Sequence, residues 1–372
     1  MNIDNIIYQC SFNDKLQEGG LLKTTREIFI ATLVGGAIGD ALGYEVEFKK
    51  LEEIKSTFGE SGITELEMNS QNGEALISDD TQMTLFTADG LIWAYNRMRM
   101  RGIGSYAGSG TYQSYLRWYY TQTRNLPAET DQVWLKKQLH EENGSILDYK
   151  ELFFNRAPGN TCLSALGSGR MGTIEQPINQ SKGCGGVMRV APVGLFLHKE
   201  PEYAFKIGSD IAAITHGHPT GYLSAGAFAT IIAELVNGKT ILDSTMTALS
   251  VLKKHANHEE CSDALELALE LSTKDLEPAK AISILGEGWI AEEALAISLY
   301  CTLIEADFKK SLAYSVNHDG DSDSTGSICG NILGAHYGFH VIPKEWMDVL
   351  ELKELIVEMS NNLYHMTIDE VR

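Results

Sequence analysis

The chain has 372 residues, of which 50 are acidic and 30 basic, for a formal charge of −20, and 44% are hydrophobic. That apolar share supports a packed core and excludes a disordered chain. The acidity excludes a duplex nucleic-acid partner, because phosphate binding needs basic clusters that displace counterions.

In chain order, residues 1–24 form an expected N-terminal arm ahead of a single domain, 25–372. The opening MNIDNIIYQC lacks the basic and apolar regions of a secretory signal. The arm mixes Ile3, Ile6, Ile7, Tyr8 and Phe12 with Asp4, Asn5 and Asp14. Apolar residues on an acidic segment suit docking into a partner's groove. Six cysteines without a CxxC pair fit a reducing, cytoplasmic compartment better than a disulfide or zinc framework. The apolar run 28–38 is short for a membrane span and is followed by Asp40, so no membrane partner is expected.

Apolar residues at three- and four-residue spacing predict helices over 27–42, 81–99, 219–236, 289–305 and 345–359. Strand patterns are scarce, 62–68 being the best. The domain therefore reads as all-α. Gly- and Asp-rich loops at 69–80, 156–188 and 317–327 interrupt it, and loops of that length are usually functional. Ala31, Gly35, Gly39 and Gly43 recur at every fourth position, as do Gly326, Gly330, Gly334 and Gly338. Each interior Gly costs about 1 kcal/mol relative to Ala. Close approach of the two helices would offset that cost, so they are expected to cross at the centre.

Two Asp-rich segments open helices. In Ser78-Asp79-Asp80-Thr81, Ser78 is a plausible N-cap and the acids fall in the first turn; alone, this reads as capping with favourable dipole electrostatics. The second runs from Asp319 to Gly326. An EF-hand reading fails, since its sixth position is Ser324 and its twelfth Gly330. If the segments converge, their carboxylates repel and their pKa values rise. Divalent cations relieve this, and an all-oxygen set favours Mg²⁺ or Mn²⁺ over zinc. Two such ions position a water and polarise a substrate oxygen. The small-residue loop 181–187 reads alone as a tight turn. His216 and His218 read as structural, and Trp289 as core.

Seven blocks in order are similar to the ADP-ribosylglycohydrolase family, which includes the dinitrogenase reductase-activating glycohydrolase. They are GGAIGDALGYEVEF (35–48), SDDTQMTLFTADGLI (78–92), RAPGNTCLSAL (156–166), SKGCGGVMRVAPVGL (181–195), ITHGHPTG (214–221), GEGWIAEEALAISLY (286–300) and GDSDSTGSICGNILGAHYG (320–338). The resemblance implies a compact orthogonal helical bundle, all-α, with a dinuclear metal site at helix N-termini. It implies two Mg²⁺ or Mn²⁺ ions held by Ser78, Asp79, Asp80, Asp321, Asp323 and Ser324. It assigns Glu47 as the active-site acid, with Glu45 a competing assignment. It places Asn160, Gly183, Cys184, Gly185, Gly186 and His216 around ADP-ribose. The implied reaction removes ADP-ribose from modified protein side chains, arginine above all. The alternative is an immunity protein that blocks an ADP-ribosyltransferase toxin through its N-terminal arm, with or without hydrolysis.

Overall fold

Thr24 starts the first helix, α1 (Thr25–Tyr44), with a reciprocal capping box: its Oγ1 accepts from Glu27 N at 3.2 Å, and Thr24 N donates to the Glu27 carboxylate at 2.7 Å. The computed structural model describes residues 23–127 and 145–368. The expected N-terminal arm, Lys23 and Thr24 apart, lies outside the described residues. After α1 come α2 (Leu51–Phe58), α3 (Asp79–Arg101), a π-helical turn (Tyr106–Tyr112), α4 (Gln113–Thr123) and α5 (Asn160–Gly167). The middle of the chain forms α6 (Ala191–Phe196), α7 (Pro201–Ala213), α8 (Pro219–Val236), α9 (Ile241–Leu252), α10 (Glu259–Ser272) and α11 (Pro278–Leu285). The last elements are α12 (Ala291–Ile304), α13 (Phe308–Val316), α14 (Ser322–Tyr337), α15 (Lys344–Val349) and α16 (Lys353–Ile368).

The fold is all-α: among the described residues two isolated β-bridges are the only extended pairings. The strand anticipated over 62–68 is a loop. Its backbone at Ile63 is satisfied by one side chain, since Asn317 Oδ1 accepts from Ile63 N and Asn317 Nδ2 donates to Ile63 O, each at 2.8 Å. The helix anticipated over 345–359 is two helices. Between them Ala75 N donates to Val349 O at 2.8 Å, Glu351 N donates to Ala75 O at 3.0 Å, and Leu352 takes φ 57°.

The glycine stripes meet as anticipated. A Cβ on Gly35 would lie 2.4 Å from Gly330 O, one on Gly39 2.0 Å from Gly326 O, and one on Gly334 2.0 Å from Ala31 O. Helices α1 and α14 thus cross antiparallel, backbone against backbone, and only glycine permits that separation. The crossing is the centre of the core. By length and composition α1 could span a membrane, with a mean hydropathy of 1.3, but 89% of that window is buried inside this fold. Its apolarity on all sides is that of a central helix.

Candidate metal centre and ligand cavity

The crossing carries the chemistry. Near the end of α1 the chain turns through Glu45–Phe48, which places Glu47 beside the start of α14. Ser78 caps α3, its Oγ accepting from Asp80 N at 3.1 Å. Asp321 caps α14, its carboxylate accepting from Ser324 N at 3.3 Å. The two Asp-rich helix starts therefore converge, each with the positive end of its dipole toward the acids.

Two groups of carboxylates result, Asp79–Asp80–Asp323 and Glu47–Asp321–Asp323. In each, one oxygen per residue lies within 4.8 Å of the others. Asp323 belongs to both, so the groups adjoin. Burial, reinforced by Asp323, raises Asp79 and Asp80 well above the usual carboxylate range, and burial with Asp321 does the same to Asp323. Burial pushes Glu47 up to about 10, with Asp323 and Asp79 adding to it, and Asp321 to about 6. Glu47 Oε2 and Asp80 Oδ1 are buried with no hydrogen-bond partner. Orphaned, mutually repelling oxygens with no soft donor in either group fit hard divalent cations. Glu45, the competing acid, is exposed and pairs with Lys49 at 3.3 Å, outside both groups.

The groups form the floor of a cavity of about 680 Å³. Of the expected ligand-binding residues, Asn160, Gly183, Cys184, Gly185 and His216 line it, as do Asp79, Asp80, Asp321, Asp323, Ser324 and Glu47. Ser78 and Gly186 do not: Ser78 is fully buried under the α3 start, and Gly186 faces Ala212 and the Nδ1 side of His216. The loop 183–186 offers less to a diphosphate than its glycines suggest. Gly183 N already donates to Ser181 Oγ at 3.3 Å, and Cys184 N donates to Trp289 O at 3.2 Å. The Cys184 thiol donates to the Asp321 carboxylate.

The 156–160 turn, which lines the same cavity, is set by long-range contacts. Arg156 pairs with buried Glu351 at 3.1 Å, and Asp79 N donates to Arg156 O at 3.0 Å. Gly159 N donates to Asp79 Oδ2 at 3.3 Å, which delivers exposed Asn160 to the rim. His216 is buried behind the loop, its Nδ1 2.9 Å from Thr215 Oγ1. Burial, then Arg189, lowers its pKa to about 3, so the ring is neutral. His218 is structural as read: it caps α8, accepting from Thr220 N at 3.2 Å.

Three site residues escaped the sequence reading. Asp40, wholly buried in α1, accepts from Ser78 N and Thr81 N at 3.0 Å each, and from the Thr81 hydroxyl. An acid in the interior of an apolar, glycine-rich helix was its signal. Trp289, expected in the core, is 39% exposed on the cavity wall, stacked on Phe48 with ring centroids 5.9 Å apart. Phe48 itself was read only as part of a motif.

A family model described as ADP-ribosylglycohydrolase matches residues 22–370. The chain is 24% identical to the ADP-ribosylarginine hydrolase Tri1 of Serratia proteamaculans, over 91% of this chain and 79% of that protein. It is 24% identical to the ADP-ribosyl-[dinitrogen reductase] glycohydrolase of Rhodospirillum rubrum, over 87% and 90%. A solved structure titled ADP-ribosylglycohydrolase-related protein complex shares the fold, with a TM-score of 0.57 and 22% identity over 93% of this chain and 100% of the other.

Proposed function

Since the chain belongs to the ADP-ribosylglycohydrolase family, we propose that it hydrolyses the bond joining ADP-ribose to an arginine side chain of a modified protein, using two Mg²⁺ or Mn²⁺ ions. The observation that supports this most is the pair of buried carboxylate groups sharing Asp323 on the floor of one cavity. Asp79, Asp80 and Asp323 would hold one ion, and Asp321 and Asp323 the other, with the hydroxyls of Ser78 and Ser324 as further oxygen donors and Glu47 beside the second ion. Bound there, such ions polarise oxygens and acidify water.

The protein's own groups divide the remaining work. Glu47 orients the attacking water and takes its proton, and the departing arginine nitrogen gains one. Positive charge grows on the sugar as the bond breaks, and the surrounding carboxylates stabilise it. Asn160 and His216 bind oxygens of the ADP-ribose, with Gly183–Gly186 lining its path. The five described cysteines are free thiols, which supports a cytoplasmic location.

The test is direct. Purified protein with Mg²⁺ or Mn²⁺ is incubated with peptides carrying ADP-ribose on arginine or on serine, and free ADP-ribose is quantified. Release chiefly from the arginine peptide is expected. Preference for the serine peptide overturns the acceptor assignment, and release from neither overturns hydrolysis of both linkages.

A further inference from the structure

Single exposed apolar side chains are ordinary on a protein surface. Phe48 and Trp289 are not single. Phe48 is 73% exposed and Trp289 39%, and their rings stack with 19° between planes on the wall of the ligand cavity. We propose that this aromatic pair is the acceptor platform of the site, receiving the guanidinium and adjoining peptide of a modified arginine. The proposal rests on the arginine reading above and adds the surface that recognises the protein side of the substrate.

Position supports it. Phe48 directly follows Glu47. Trp289 directly follows Gly288, whose Cα faces Asp321: a Cβ on Gly288 would lie 3.5 Å from Asp321 Cβ. Phe48 therefore hangs from the backbone that carries Glu47, and Trp289 from a turn packed on the start of α14, where Asp321 N donates to Glu287 O at 2.8 Å. The platform stands at the reacting end.

Trp289 is also braced. Its carbonyl accepts from Cys184 N, and Ile290 bridges to Gly183. On the preceding turn, Glu287 N and Gly288 N donate to the Glu293 carboxylate at 3.0 and 3.1 Å. Next to it, Glu292 holds Lys182 of the cavity loop at 2.7 Å. A backbone fixed this way leaves only the side-chain torsions of Trp289 to be ordered on binding.

Charge selects the occupant. Exposed Glu287 lies two residues before Trp289, and Lys50, two residues after Phe48, joins it to exposed Asp319. One lysine is thus shared between Glu287 at 3.4 Å and Asp319 at 3.9 Å, which leaves a carboxylate in excess. Excess negative charge beside the rings disfavours a diphosphate there and favours a cation. A guanidinium is planar, charged and weakly hydrated, and it stacks on aromatic faces.

Binding is measured in Glu47→Gln protein, which should hold substrate without turning it over. Calorimetry compares ADP-ribose, an ADP-ribosyl-arginine peptide and an ADP-ribosyl-serine peptide, with Phe48 and Trp289 intact or both changed to Ala. Losing the rings should weaken the arginine peptide about tenfold and leave ADP-ribose within about twofold. Trp289→Phe, which keeps a ring, should restore most of the loss. Equal weakening of free ADP-ribose would mean that the rings hold adenine, and an unchanged arginine peptide would mean that they are idle. Either outcome overturns the platform. Failure of the wild-type enzyme to cleave arginine linkages strikes the proposed reaction instead, and is read separately in the turnover assay.

Discussion

The carboxylate of Asp40 accepts the backbone N–H of Ser78 at 3.0 Å, tying the C-terminal half of α1 to the cap of α3. It also accepts from Thr81 N, so one buried side chain fixes both ends of the Ser78–Thr81 turn. That turn aims Asp79 and Asp80 at Asp323. Asp40→Asn keeps the volume but turns an NH₂ toward backbone donors. The variant is expected to remain helical by circular dichroism while binding Mg²⁺ about 10- to 100-fold more weakly, because the turn that aims Asp79 and Asp80 loses its anchor. Wild-type affinity in a folded variant would show that Asp40 only packs.

Asp323 is common to both carboxylate groups. Asp323→Ala should therefore abolish ADP-ribose release and eliminate the thermal shift produced by Mg²⁺ or Mn²⁺. EDTA should silence the wild type, and either ion should restore it. Full turnover by metal-stripped protein would disprove a metal-dependent reaction.

Glu47 and Glu45 separate by their surroundings. Glu47 is buried among carboxylates, whereas Glu45 is exposed beside Lys49. Glu47→Gln should reduce turnover about 10²-fold or more while largely preserving ADP-ribose affinity. Glu45→Gln should change neither by more than about twofold. Steady-state kinetics paired with calorimetry check this; reversal of the two phenotypes would move the assignment to Glu45.

Features with a strict local cause were the legible ones. Only glycine allows two helix backbones to touch, so the stripes reported the α1–α14 crossing, where a Cβ on Gly39 would meet Gly326 O at 2.0 Å. Acid doublets at helix starts reported the carboxylate groups. The break at Leu350–Leu352 was illegible because those residues continue the apolar spacing, and it is imposed from afar by Ala75. Trp289 was misread for a related reason: composition does not distinguish an aromatic ring in a core from one on a cavity rim. Asp40 was passed over as the residue that ends an apolar run, although an acid inside such a helix must have buried donors.

Proton linkage has a defined sign here. In the metal-free protein, burial raises Asp40 and Asp321 from 3.8 to about 6 and Glu47 from 4.5 to about 10. Between those values the folded state binds more protons than the unfolded state, so stability falls as pH rises. In EDTA, the melting temperature should be higher near about pH 5 than near about pH 8, across the interval set by the Asp pair. Saturating Mg²⁺ should narrow or reverse the difference, because the cation competes with protons for the same oxygens. A melting temperature that rises over this interval in EDTA would contradict the raised values.

Arg189 is buried, and among the described residues no carboxylate pairs with it. Its guanidinium donates to Thr215 Oγ1 at 2.7 Å and to Ile211 O at 3.4 Å, and it lies 4.3 Å from the Tyr115 ring centroid. Thr215 Oγ1 in turn sits 2.9 Å from His216 Nδ1. A neutral imidazole has a lone pair on one nitrogen and a proton on the other. The cation behind the ring favours the lone pair at Nδ1, and the carboxylate-lined cavity in front favours the proton at Nε2. His216 should therefore present an Nε2–H donor toward the Gly183–Gly185 loop, suited to an anionic oxygen of ADP-ribose. Nitrogen-15 chemical shifts should report Nδ1 as unprotonated in the wild type. Thr215→Val removes the relay and should weaken ADP-ribose about tenfold, the scale of a hydrogen bond to a charged group. Thr215→Ser, which keeps the hydroxyl, should bind as the wild type does. A purely structural role predicts equal losses for Val and Ser or none for either, and a protonated Nδ1 in the wild type would reverse the direction assigned to the relay.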